Sequence, residues 1–409
     1  MKKTILGALA LITMSIAASA AVTSTIDGVT ATENPACTEG YVLKAENEET
    51  DKTVTYDSCD TLGVAVLDVE GNVISSTGKA AALSTTIAAD NTCEGGFSNE
   101  GIQDSGQVIQ CPDISTAALS EGYLNLTEAK GVLIFAGGSY TDISNLKNLT
   151  EADGGLAFMN NENLVSLAGL ENLENAGVFY LMNLGITDVD ELESLTSATG
   201  ELIIMLNKNL VNMDGLNSLT SVGGMLSIND NENLIDIDGL NSLTSVGGSF
   251  WLDKNSSLTD VSGLNSLTSV EDDFLLSENS SLTSISGLSS LTSVEGAFQL
   301  KNNPSLTSIS GLNSLTSVGG VFQLNDNPSL TSLSGLSSLT SVGEFLWLNN
   351  NPNLKDISAL NNITEIGDYV WFDDREYEVK MDANSYICQN YDTKVTNKST
   401  TLKSNICNN

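Results

Sequence analysis

The sequence predicts a mostly β protein, a parallel β-solenoid of about ten coils, each 24 residues long. Three observations carry that expectation. A leucine column recurs at Leu146, Leu170, Leu192, Leu216, Leu240, Leu264, Leu288, Leu312, Leu336 and Leu360; a fixed period of this length marks stacked units that cannot bury their apolar side alone. Within one coil, Ser249-Phe250-Trp251-Leu252-Asp253 alternates, which points Phe250 and Leu252 inward and Trp251 outward, as a strand does. Leu258, Val261, Leu264, Leu267 and Val270 then return every third residue. They read as short strands and corners, each sending one side chain inside, with helix disfavoured by the repeated Thr, Ser and Gly.

An asparagine column accompanies the leucines: Asn161, Asn183, Asn207, Asn231, Asn255, Asn279, Asn303, Asn327 and Asn351. Buried amides at one coil position satisfy each other and the turning backbone, so the column is structural. One coil departs from the period. Leu170 to Leu192 spans 22 residues, and the two missing residues are placed between Ala176 and Val178.

Four segments follow along the chain. Residues 1–20 read as a secretory signal peptide, with Lys2 and Lys3, an apolar run from Ile5 to Ile16, and Ala18-Ser19-Ala20 before the cut. Residues 21–112 read as a small β-rich domain, with strands at Tyr41–Leu43, Thr53–Thr55 and Val64–Leu67, and a hairpin turning at Glu70-Gly71-Asn72. Residues 113–373 are the repeats, and residues 374–409 a polar C-terminal cap. No later stretch reaches about 20 apolar residues, so no membrane span is expected. The protein is expected to be secreted, whether periplasmic, on the cell surface or extracellular.

The six cysteines frame the array: Cys37, Cys59, Cys93 and Cys111 before it, Cys388 and Cys407 after it. The placement predicts disulfide-stapled caps in an oxidising compartment, with Cys388–Cys407 as the C-terminal pair. The N-terminal four allow three connectivities. A formal charge of −36 and a single arginine, Arg375, exclude nucleic acid as a partner, because phosphate contacts need clustered cations. The absence of histidine removes Ser-His-Asp and Cys-His catalysis and imidazole-based zinc sites. Carboxylate-only chemistry survives that test.

The consensus L-T-S-V-G-G-x-F-x-L-x-x-N-x-x-L-T-S-I-S-G-L, from about Cys111 to Phe372, resembles the receptor L-domain type of repeat, a relative of leucine-rich repeats found in secreted and surface proteins of bacteria. The resemblance implies a right-handed β-solenoid used for recognition, without enzymatic activity. The chain departs from ordinary leucine-rich repeats in its spacing, with three residues between Val270 and Phe274 and two between Asn279 and Leu282. The array is also longer and more uniform than a receptor domain, so no ligand or residue role carries over.

Function is sought in the outward ladders. Following the Trp251 position gives Ala157, Phe179, Ile203, Ser227, Trp251, Leu275, Gln299, Gln323, Trp347 and Trp371, a column that holds all three tryptophans. Neighbouring outward columns add Met225, Val321, Phe345 and Tyr369 on one side, Leu181 and Met205 on the other. The candidate ligand-binding residues are therefore Phe179, Ile203, Met205, Trp251, Phe345, Trp347, Tyr369 and Trp371, a protein or a glycan being the partner such anchors suit. A second ladder is acidic. Asp190, Asp214 and Asp238 share one column, and Asp188, Asp236 and Asp260 stand two residues earlier, with Asn212 in the remaining place. Hard oxygen ligands of this kind suit Ca²⁺, which makes Asp190, Asp214, Asp236, Asp238 and Asp260 candidate metal ligands; solvated charge is the alternative. A threonine ladder (Thr220, Thr244, Thr268, Thr292, Thr316, Thr340) reads as β-propensity on solvated strands. The functional expectation is a recognition or adhesion module without catalysis. A structural or assembly protein with buried aromatic faces is the alternative, followed by a carboxylate-based polysaccharide-active enzyme and an ice-binding protein.

Overall fold

The computed structural model describes residues 126–129, 131–136, 140–373, 377–395 and 402–407, together with the backbone of short strands N-terminal to them. The expected signal peptide and the four N-terminal cysteines lie outside the described residues. Among those early strands, Ala65–Leu67 pairs antiparallel with Val73–Ser76, where the hairpin is expected. Val29–Thr32 pairs antiparallel with Val42–Asn47.

From Glu151 onward the chain is a parallel β-solenoid. Two-residue strands such as Ser245–Val246 and Ser269–Val270 pair coil to coil in one row. Four-residue strands such as Phe250–Asp253 and Phe274–Ser277 pair in a second row, every partner 24 residues on. The third side is not made of strands and corners. It carries a single turn of 3-10 helix in most coils, for example Asp238–Leu240 and Ser262–Leu264. The reason is local. An Asp, Asn or Ser side chain accepts the N–H two residues ahead, Asp260 Oδ1 from Ser262 at 2.9 Å and Ser308 Oγ from Ser310 at 3.2 Å, and so starts a turn too short to propagate. Successive turns stack so closely that a Cβ on Gly263 would stand 1.9 Å from the Ile237 carbonyl oxygen, which is why this position is glycine.

Each regular coil sends seven apolar side chains inside. Phe250, Leu252, Leu258, Val261, Leu264, Leu267 and Val270 are all completely buried. The phenyl rings of Phe250, Phe274, Phe298 and Phe322 form a file with centroids 5.2, 5.2 and 5.3 Å apart, which adds about 0.5–1.5 kcal/mol per pair to the burial itself.

The asparagine column is the polar counterpart of this core. Asn279 Nδ2 donates to the Leu252 carbonyl at 2.9 Å, and its Oδ1 accepts the Asn255 N–H at 2.9 Å. The same two bonds recur with little change up to Asn351. Asn183 is a correction. Strand pairing sets Leu184, not Asn183, opposite Asn161, and the Leu184 N–H donates to Asn207 Oδ1. Asn183 instead takes a left-handed corner (φ 51°) that eight other residues share, from Asn160 to Asn350. The two missing residues are therefore split. One is absorbed by a register shift at Ala176/Val178, the other after Leu184.

The C-terminal end is closed by residues 377–395 and 402–407. Val379 bridges to Asp356, Val395 to Val370, and Met381 to Cys407. Cys388 and Cys407 form the expected disulfide, 19 residues apart. Lys394 Nζ donates to the Ile366 and Gly367 carbonyls at 2.7 and 2.8 Å, covering acceptors at the open sheet edge.

Two outcomes are expected of this architecture. Asn279→Leu leaves the Leu252 carbonyl and the Asn255 N–H without partners, at about 1–3 kcal/mol each; urea unfolding should show the loss and hydrogen exchange should speed at Asn255. Replacing Cys388 and Cys407 by serine should lower the stability of the C-terminal end by about 3 kcal/mol, read as faster exchange at Val370 with the middle coils unchanged.

Candidate functional site

The second row of strands presents its outward side chains in three columns, and the structure corrects how the first coils enter them. Tyr180, not Phe179, pairs with both Ala157 and Ile203. Phe179 lies in the inward column with Leu156 and Leu202, fully buried, and Leu181 lies inside likewise. The error has a plain cause: counting the missing residues all on one side of this strand shifts it by one place, which turns every side chain to the opposite face. Ile203 does stand in the outward column but is 1 % exposed, so it offers no free surface, and Met205 is half-buried. Tyr180 O–H donates to Glu201 Oε2 at 2.8 Å. Burial pushes both the Tyr180 hydroxyl and the Glu201 carboxyl up from their ordinary values, the nearby Glu201 charge adding to the tyrosine's shift.

At the other end the column is open. Trp347 and Trp371 pair in neighbouring strands, 41 % and 44 % exposed, with ring centroids 6.4 Å apart. Two residues earlier in the same coils, Phe345 and Tyr369 are 39 % and 46 % exposed, 6.0 Å apart. The four rings form one aromatic surface across two coils. Trp251 is half-buried and stands four coils from Trp347 in the same column, separated from it by Leu275, Gln299 and Gln323. Exposed carboxylates precede these rings along the chain: Glu344 and Asp368, one residue before Phe345 and Tyr369, and Glu365 in the two-residue strand just before the second pair. The signal was present, since that position is glycine in most coils (Gly224, Gly248, Gly296, Gly320).

The aspartate ladder is not a converging set of ligands. Among the described residues, carboxylate oxygens that come within 4.8 Å of one another as a group of three belong to Glu128, Glu151 and Asp153, and not to Asp190, Asp214, Asp236, Asp238 or Asp260. The earlier row is occupied in capping: Asp236 Oδ1 accepts the Asp238 N–H at 3.3 Å, and Asn212 Oδ1 the Asp214 N–H at 3.1 Å. Where the rows end, Ser262 Oγ stands 2.7 Å from Asp238 Oδ1 and 2.5 Å from Asp260 Oδ1, so a hydroxyl bridges two carboxylates. The threonine hydroxyls are engaged as well. Thr268 Oγ1 donates to the Thr244 carbonyl at 3.0 Å, and its neighbours repeat the bond.

Electrostatics in the ladder pull in two directions. The Ser262 hydroxyl holds the Asp260 carboxyl below its ordinary value. Burial, with the charges of Asp238, Asp214 and Asp260, raises that of Asp236. A lowered pKa supports folding above the ordinary carboxylate range and loses that support as pH falls through the folded value; a raised one does the reverse. Asp236→Asn keeps the acceptor for Asp238 and removes the charge. Its melting temperature should exceed that of the wild type at pH 7, with the difference vanishing below about pH 4, in scans across that range.

The fold and its ladders define a parallel β-solenoid. Residues 248–378, about a third of the chain, match the BspA type leucine rich repeat region, in six copies. No curated protein matches the chain. Among the described residues, no helix is long and apolar enough to cross a membrane.

Proposed function

We propose that this chain is a secreted or cell-surface recognition module that binds a protein or a glycan, without catalysis, through the outward aromatics of its C-terminal coils. One observation carries the reading: Trp347 and Trp371 lie open on a sheet whose interior is already complete without them. Outward positions in this column are free to be polar, as Gln299 and Gln323 are. Large rings placed there serve something outside the core, and tryptophan and tyrosine are the residues that dominate binding energy at protein contacts. The match to BspA type repeats supports a role in surface recognition.

The contact face is narrower than the candidate set. Phe345, Trp347, Tyr369 and Trp371 belong to it; Trp251 and Met205, half-buried and four and six coils away, do not adjoin it, and Phe179 and Ile203 offer no open surface. The alternative of an assembly protein that hides these rings within its own fold is disfavoured by their exposure.

The test is the double variant Trp347→Ser/Trp371→Ser. Exposed-site changes cost within about 0.5 kcal/mol, whereas an interface anchor is worth about 2 kcal/mol or more in binding. Screened with the full chain on a glycan array and a panel of soluble surface proteins, the variant should lose the ligands that the wild type retains, while its circular dichroism and melting temperature stay nearly unchanged. Undiminished binding overturns the assignment of this face.

A further inference from the structure

Two coils at the C-terminal end of the array depart from the repeat consensus in several places at once, as an earlier coil does with Glu271-Asp272-Asp273 but without the aromatics. Where the coils starting at Gly247 and Gly319 read Gly-Gly-x-Phe-x-Leu, these read Gly343-Glu344-Phe345-Leu346-Trp347-Leu348 and Gly367-Asp368-Tyr369-Val370-Trp371-Phe372. In each, an acidic residue replaces the second glycine, an aromatic replaces the outward residue after it, and tryptophan takes the next outward place. In the second coil Glu365 also stands where its neighbours have Ser317 and Ser341.

The fold requires none of these changes, because the inward residues keep their apolar character and the Asp368 N–H still donates to the Glu344 carbonyl at 2.9 Å. The side chains of Glu344, Glu365 and Asp368 make no ion pair or hydrogen bond among the described residues, and all three are exposed. Lys394, at this end of the array, donates to the Ile366 and Gly367 carbonyls rather than to a carboxylate. The result is four open rings, two of them directly preceded by an exposed carboxylate, with a third carboxylate earlier in the second coil, none of the three paired among the described residues. Ring faces attract cations through their quadrupole, arginine above all, and adjacent carboxylates add charge-assisted hydrogen bonds. A chain with a formal charge of −36 steers basic partners toward itself and repels acidic ones.

We infer that the aromatic surface of Phe345, Trp347, Tyr369 and Trp371, with Glu344, Glu365 and Asp368 beside it, docks a segment of a partner protein rich in arginine and lysine. The inference rests on the proposal that this face is the contact surface and names the partner's chemistry. Cationic side chains lie over the rings while their charged ends reach the carboxylates. Neighbouring strands, about 4.8 Å apart, supply two equivalent positions in register.

Binding of poly-L-arginine to the immobilised full chain, measured by surface plasmon resonance, tests it with three variants. Glu344→Gln/Glu365→Gln/Asp368→Asn removes the adjacent charges. Trp347→Ser/Trp371→Ser removes rings and no charge. Asp190→Asn/Asp214→Asn/Asp238→Asn removes as many charges from the remote ladder. The first two should each weaken binding about tenfold, and the third should change it little. Equal weakening by both charge-removing variants, with no effect of the tryptophan variant, overturns the inference in favour of diffuse attraction. Retention of soluble neutral dextran by the wild type, lost with the tryptophans and indifferent to the carboxylates, overturns it in favour of a glycan while leaving the contact face standing. If the tryptophan variant keeps every ligand, the face itself is wrong.

Discussion

A stack of parallel coils has one recurrent problem, which is the backbone at the corner where every strand turns. The strand rows satisfy themselves, because each N–H and C=O meets the next coil, but the corner after each four-residue strand is buried and irregular. The asparagine column answers it. Each amide reaches back to the preceding coil twice, accepting the N–H of the asparagine before it and donating to the carbonyl at the strand end. Leaving such groups unmet inside a protein is costly, so the column dictates the period. A coil of any other length between two asparagines either breaks the pair of bonds or must lose residues elsewhere. The short coil obeys the rule by giving up its asparagine: Leu184 occupies the place, and a residue is lost on either side.

That coil also shows where reading the sequence reached its limit. Period, inward residues, strand alternation and the terminal disulfide were all legible, because each rests on one side chain recurring at one spacing. Phe179 and Asn183 were misplaced because the spacing alone does not say on which side of a strand a deletion falls, and in a strand an offset of one reverses inside and outside. The 3-10 turns were misread for another reason. Their signal is a short-range bond from Asp or Ser to the N–H two residues on, and it leaves no apolar periodicity. The left-handed corner had a faint signature in Asn160, Asn302, Asp326 and Asn350, residues that tolerate that conformation.

The candidate site was partly legible on the same grounds. A uniform array makes departures conspicuous, and the tryptophans of one outward column stand out against glutamine and serine. Their exposure was not legible, since a covering segment leaves no mark on the repeat, and Ile203 shows that an outward place is not always an open one. The carboxylates preceding Phe345 and Tyr369 carry a weaker signal, one glycine replaced by an acid, which Asp272 also shows in a coil without the aromatic pair. In the aspartate ladder, conspicuous as charge, the earlier row caps the turns, and a serine bridges the end.

The plug at the C-terminal end has a consequence for how such a protein changes over generations. Because every coil offers its successor the same surface, slippage of the coding sequence by one coil's worth of codons yields a chain that still closes on Lys394 and the disulfide. Loss or gain of a few codons has no such refuge, and the bulged, asparagine-less coil around Tyr180 shows the adjustments a shorter coil demands. Length is therefore the cheapest property for this molecule to vary. The aromatic pair lies within two coils of the plug, so a coil inserted in the middle of the array leaves both of them together.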